Sequence, residues 1–295
     1  MQNVDFRGIK CVELANDTIS LLVAQSMGPR ILSLKVAGGE NLLAELSDFS
    51  SEDKDDGTFH FYGGHRLWHA PEDVVRTYIP DDHPVEITPL ENGVHLTQTV
   101  EERTGMQKSM EIVLPGKQPQ VTIKHLITNH GLWPVECAAW GITQLRPGGK
   151  AILPQSMVWT EKLPNRHLVM WPYADMSIPQ IHWFKDRLQL DAQFSEGAFK
   201  VGYPNTRGWM AYWQKDTLFI KRAAYYAQES YCDFGCSTEC YICKDFIELE
   251  TLSPMKVLQP GDSITHVETW EVHQNIEFPQ DDAAFLAFVE QLGLE

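Results

Sequence analysis

Two glutamates, Glu248 and Glu250, stand next but one to each other in the run FIELETL, Phe246 to Leu252. The run reads as a β-strand. It opens a longer stretch to Val272 in which two strands are joined by a loop with turn signals at Ser253-Pro254 and Pro260-Gly261. Successive strand side chains point to opposite faces, so Phe246, Glu248, Glu250 and Leu252 share one face and Ile247, Leu249 and Thr251 the other. Carboxylates so placed lie roughly 7 Å apart. Sheltered from water, each raises the cost of ionising the other, which is how a carboxyl becomes a general base or acid. A solvated strand face carrying two glutamates is the plainer alternative.

Phe59 to Asp73, FHFYGGHRLWHAPED, is a second candidate. Gly63-Gly64 allows close backbone approach, and His65, Arg66, Trp68 and His69 follow at once. His65 and His69 are four apart, which on a helix would put both on one face and suit a metal. The glycine pair before them and Pro71 after them favour a loop or short extended segment instead. A ligand-binding loop, a structural loop and a metal site are the three readings. A third candidate is the spacing Cys236-x3-Cys240-x2-Cys243, with Cys232 just upstream, which offers thiolates to zinc or an iron–sulfur cluster. Here Cys232-Asp233-Phe234-Gly235 reads as a turn feeding a strand from Ser237 to Cys243. Cys240 and Cys243 then face opposite ways, which argues against common ligation. No metal and no cofactor is expected.

The elements that must hold these groups are mostly strands. Ile19–Ser26 and Ile31–Val36 flank the corner Met27-Gly28-Pro29-Arg30, and Asn41–Leu46 follows. The acidic, serine-rich stretch Ser47 to Gly57 reads as a solvated loop. Val85–Thr88, Val94–Val100, Lys108–Leu114, Val121–Thr128 and Pro134–Gln144 continue the pattern, and Trp209–Trp213 with Thr217–Ala223 forms a hairpin. Between Met157 and Phe194 little can be assigned beyond loops and short strands. Only the tail reads as a helix, capped by Asp281 or Asp282, with Phe285, Leu286, Val289 and Leu292 as its apolar face. No linker or internal repeat divides residues 1–295, so one large antiparallel β domain is expected.

Composition narrows the partners. A net charge of −16 without a basic cluster repels nucleic acid and anionic membranes, and no apolar run reaches the ~20 residues that span a bilayer. The N-terminus lacks the apolar core of a secretory signal, so a cytoplasmic location with reduced cysteines is expected. Aromatic content is 11%, enough to leave some rings free to stack on sugars once the core is filled.

The pattern YxDxGxSxExY, followed by FIELETLSPxxxLxPGxSxxHxETW, resembles the galactose mutarotase-like (aldose 1-epimerase) superfamily. The resemblance runs from about Thr18 to Val272, most specifically in the C-terminal third, with support from the Gly28-Pro29-Arg30 corner and the GGHRLWHAPE stretch. It implies an all-β supersandwich, two large antiparallel sheets face to face, with a cleft for a carbohydrate ligand, a monosaccharide. In such epimerases a glutamate in a Leu-Glu-Thr context removes the proton of the anomeric hydroxyl, and a histidine after Pro-Val-x-x-x-x protonates the ring oxygen. Leu249-Glu250-Thr251 matches the first, which makes Glu250 the candidate base and Glu248 its neighbour, tuning it or holding a hydroxyl. The second departs: Pro134-Val135 is followed at the histidine position by Trp140, which can stack on a sugar but not donate a labile proton. His65 or His69 is then the candidate acid, with Arg66, Trp68 and Trp140 binding the substrate. A binder that lost its acid, or another sugar enzyme on the same scaffold, are the alternatives.

Overall fold

Residues alternating with a period of two write most of the chain as strands. Gln120–Asn129 alternates half-buried and buried side chains along its whole length, and Ser263–His273 does nearly the same beside it. The computed structural model describes residues 2–50, 57–161 and 163–294, with the backbone alone for 47–50. Among these the strands form two antiparallel sheets, of twelve and ten strands.

The middle of the larger sheet runs, in spatial order, Arg30–Val36, His60–Ala70, Val135–Leu145, Ile247–Leu252, Thr238–Cys243 and Ala198–Tyr203. Its inner face contributes Leu21, Ile31, Leu67, Phe199 and Leu249 to one continuous apolar core, which Met110, Ile123, Met210, Phe219 and Trp270 complete from the smaller sheet. The smaller sheet's outer face is closed by the C-terminal helix Asp282–Gln291, whose Phe285 and Val289 cover Trp209, Trp213 and Ile220. Asp281 caps that helix by accepting from the Ala284 N–H. Leu286, expected on the apolar face, is exposed instead, because only the narrower stripe through Phe285 and Val289 meets the sheet.

Two further expectations change. The glycine–histidine stretch is no loop but an eleven-residue central strand, His60–Ala70. Gly63 and Gly64 sit inside it at φ +83° and +73°, where a Cβ would lie 1.9 Å from the Ala44 carbonyl oxygen and 2.1 Å from that of Ile31. Only glycine lets the neighbouring chain come that close. The stretch read as an acidic loop begins as strand Glu45–Ser50, paired to His60–Ala70, while residues 51–56 lie outside the described residues. The region after Met157 holds loops and the short strands Val169–Met170, Ile181–Trp183 and Arg187–Asp191, as expected, and Ala198–Tyr203 follows as a pocket strand. The cysteine segment behaves as expected: a turn with Asp233 and Phe234 in the left-handed region leads into Thr238–Cys243.

Candidate functional site

The outer face of the larger sheet carries a cavity of about 450 Å³, built from two cross-strand rows. Register places Lys200, Tyr241, Glu248 and Gln144 side by side on four successive strands. The adjacent row is Gly202, Glu239, Glu250, Ile142 and Arg66. One row further on, Trp140 stands opposite Trp68. Phe61, Tyr78, Trp171 and Tyr173 complete the walls, and Glu72 stands at the rim, accepting from the Tyr78 hydroxyl. A depression of about 520 Å³ elsewhere is lined by Lys256 and Glu229, which pair with each other at 2.7 Å on the surface, and no buried charge among the described residues opens into it.

Glu248 and Glu250 share the cavity face, but they are not equivalent. Glu248 lines the cavity; its Oε1 accepts from Arg66 Nη2 at 3.1 Å and Gln144 Nε2 at 2.9 Å. Burial pushes the Glu248 carboxyl above its ordinary value, and the Arg66 guanidinium opposes that rise. Glu250 lies beneath the floor with no exposed surface. Its Oε2 accepts from Trp140 Nε1 at 2.8 Å and from Lys200 Nζ at 3.1 Å. Trp140 therefore does more than present a ring: its N–H anchors the buried carboxylate.

Arg66 lies across Trp68, 4.2 Å from the ring centroid, and its buried Nε and Nη1 meet no hydrogen-bond acceptor among the described residues. An arginine with spare donors beside a carboxylate, inside aromatic walls, can hold a ligand that carries both polar groups and apolar faces.

Lys200, not singled out from the sequence, is the hub of the floor. Its Nζ lies 2.7 Å from Glu239 Oε2 and over the rings of Trp140 and Trp171, at 4.8 and 4.6 Å. Burial works against its charge, but Glu250 and Glu239 outweigh burial and hold it well above the ordinary lysine range. Burial and the neighbouring Glu250 push Glu239 well above the ordinary carboxyl range, against the pull of Lys200. The signal for Lys200 was present in the alternation Phe199-Lys200-Val201-Gly202-Tyr203, which buries the odd positions in the core and sends Lys200 outward.

His65 and His69 do not reach this cavity. Strand parity turns them to the inner face, opposite Arg66 and Trp68. His65 joins a polar cluster between the sheets with His125, His266, Lys221 and Glu268. His125 Nδ1 donates to the His266 carbonyl at 3.1 Å, so its Nε2 accepts from His65 Nε2 at 2.7 Å, and His65 Nδ1 accepts from Thr143 Oγ1 at 2.9 Å. All contacts are satisfied with neutral imidazoles, in keeping with burial, which pushes His65 well below and His125 below the usual histidine range. Lys221 Nζ bonds the Gly141 and Leu249 carbonyls, both at 2.9 Å, and meets Glu268 Oε1 at 3.0 Å. It thus ties the two strands under the pocket to the opposite sheet. His65, His125 and Glu268 have converging metal-ligand atoms, but the ammonium of Lys221 and the His65–His125 bond already occupy those positions. Three of the four clustered cysteines belong to separate apolar clusters, Cys240 to the inter-sheet core, Cys232 to that of Trp140 and Leu252 and Cys243 to that of Phe246, while Cys236 lies one turn from Cys232 with its Sγ beside Gly202.

Comparison with known proteins gives the fold. No family model matches the chain, and no curated protein matches it by sequence. Among solved structures, a galactose mutarotase-like protein from Lactobacillus casei superposes with a TM-score of 0.61 at 11% identity, covering 89% of this chain and 100% of its own. A candidate aldose 1-epimerase from Klebsiella pneumoniae gives 0.61 at 12%, covering 97% and 83% respectively. Another from Escherichia coli K12 gives 0.56 at 13%, covering 90% and 100%. The chain has the galactose mutarotase-like β-sandwich fold.

Proposed function

We propose that the protein is an aldose 1-epimerase-like isomerase that opens and recloses a free monosaccharide in the aromatic cavity, with Glu248 as the general base. The observation that carries this is the placement of Glu248: a carboxyl raised by burial, hydrogen-bonded among the described residues on one oxygen only, at the wall of a cavity sized and lined for a sugar. In this reading Glu248 takes the proton of the anomeric hydroxyl, Arg66 and Gln144 orient it, and Trp68 and Trp171 receive the apolar faces of the ring. Glu250, the base expected from the Leu-Glu-Thr match, instead fixes Trp140 and Lys200 from below. His65 and His69 hold no role in proton transfer, being on the far face of their strand. No nucleic acid, membrane or cofactor enters the scheme. Six unpaired, buried thiols support a reducing, cytoplasmic setting.

A second reading, a carbohydrate-binding protein without catalysis, is favoured by the absence of any histidine among the described residues that line the cavity. Exchange between α and β anomers, followed by NMR on a panel of free sugars, separates the two. Acceleration that saturates with one sugar supports the isomerase; saturable binding of a sugar whose exchange rate stays at the spontaneous value supports the binder.

A further inference from the structure

The Glu248 base needs a partner to protonate the ring oxygen, and the cavity holds one charged donor whose proton can be replaced. We propose that Lys200 donates the proton to the ring oxygen of the bound sugar and that Glu239, touching Lys200 from beneath the floor, restores it. This rests on the isomerase reading of the same site.

The geometry supports it in three ways. Lys200 and Glu248 occupy one cross-strand row with only Tyr241 between them. Their strands are two apart, roughly 10 Å, which leaves room for a pyranose between base and acid. Lys200 lines the cavity although it is only 5% exposed, so its charge is sheltered from water yet open to a ligand. Beneath it stand two fully buried carboxyl groups, Glu239 at 2.7 Å and Glu250 at 3.1 Å, facing each other in register. Two buried carboxylates against one ammonium would leave an uncompensated negative charge, which a dry site does not tolerate. One proton held on Glu239 makes the triad neutral. Glu239 is the member placed to carry it: its carboxyl meets Lys200 alone, whereas Glu250 Oε2 accepts from both Trp140 and Lys200, and Oε1 of each meets no donor among the described residues.

The protons balance. Glu248 accepts the anomeric hydroxyl proton as the C1–O5 bond breaks and its electron pair moves to O5. O5 takes a proton from Lys200 Nζ, and the Glu239 carboxyl proton passes to Nζ. The open-chain aldehyde turns about C1–C2, and reclosure on the other face of the carbonyl runs each transfer backward. A lysine held strongly protonated can serve here, because the alkoxide forming at O5 is more basic than an amine.

The test uses the intact protein with α-D-glucose, α-D-galactose and their uronic acids as probes, taking the sugar whose exchange is accelerated most. Lys200→Arg keeps the charge but replaces the amine with a guanidinium that does not release its proton. Both Lys200→Arg and Lys200→Met are expected to lose about 100-fold or more in kcat. Glu239→Gln, isosteric with a protonated carboxyl, is expected to keep Tm and KM, lower kcat about 10-fold or more, and remove the infrared carbonyl band of a protonated carboxylic acid. A Lys200→Arg variant at wild-type kcat would overturn the assignment of Lys200 alone. A Glu239→Gln variant that loses stability, or that keeps full kcat, would overturn the relay. A wild type that accelerates none of the probes would overturn the isomerase reading and this proposal with it, which separates the two failures.

Discussion

Gly141→Ala is the substitution for which the structure sets the size of the effect most directly. Gly141 lies on the pocket strand Val135–Leu145, facing inward. An added Cβ would stand 2.2 Å from Glu268 Oε1 and 3.1 Å from its carboxyl carbon. Glu268 cannot swing aside, because Lys221 holds Oε1 at 3.0 Å and Trp270 Nε1 holds Oε2 at 2.9 Å. If the strand moves, the cost is that of overpacking, about 1–3 kcal/mol. If the carboxylate gives way, Lys221 loses its partner and the cost rises to about 3–5 kcal/mol. Either is a large share of the ~5–15 kcal/mol that a domain has in total. Urea unfolding followed by tryptophan fluorescence should show a lower midpoint at unchanged m-value, worth about 3 kcal/mol. In a Lys221→Met/Glu268→Leu background the clash with a charged group is gone, and the added cost of Gly141→Ala should shrink by at least about 1 kcal/mol. A loss below about 1 kcal/mol in the native background, or full additivity in the cycle, would refute the reasoning.

Lys221→Met alone leaves Glu268 buried without its cation and should cost about 3–5 kcal/mol in the same unfolding experiment. Trp171→Ala removes one aromatic wall and a ring under Lys200, 4.6 Å away; titration should show sugar affinity falling about 5- to 30-fold, the equivalent of about 1–2 kcal/mol. Acid sensitivity follows from the inward histidines. Burial holds His69 and His266 at about 3, against 6.5 when unfolded, so both are neutral in the fold. Above pH 6.5 they add no pH dependence. Between 6.5 and about 3 the unfolded chain binds protons that the fold refuses, and each histidine removes about 1.4 kcal/mol of stability per pH unit. A urea midpoint that stays flat from pH 6.5 to 5 would contradict this.

Much of the sandwich was legible, since alternation marks Gln120–Asn129 and Ser263–His273 without help from distant parts of the chain. The shared face of Glu248 and Glu250 was legible for the same reason. Which of the two meets a ligand was not, because Trp140, 110 residues away in sequence, covers Glu250. The histidines were misplaced by a single misreading: two glycines inside a strand looked like a loop, and their cause is the close approach of Ala44 and Ile31 from other segments. Once His60–Ala70 is a strand, parity alone sends His65 and His69 inward and Arg66 and Trp68 to the cavity. Lys200 and Glu239 stand 39 positions apart and gain meaning only from the pairing of Ala198–Tyr203 with Thr238–Cys243.

The most direct test of the account compares Glu248→Gln with Glu250→Gln in the NMR anomer-exchange assay, with sugar binding measured in parallel. Glu248→Gln should bind sugar and lose about 100-fold or more of the exchange rate. Glu250→Gln should chiefly lower stability, since it weakens the buried contacts to Lys200 and Trp140. An unchanged exchange rate in Glu248→Gln, beside a folded but inactive Glu250→Gln, would contradict the claim that the open carboxylate of Glu248 is the base.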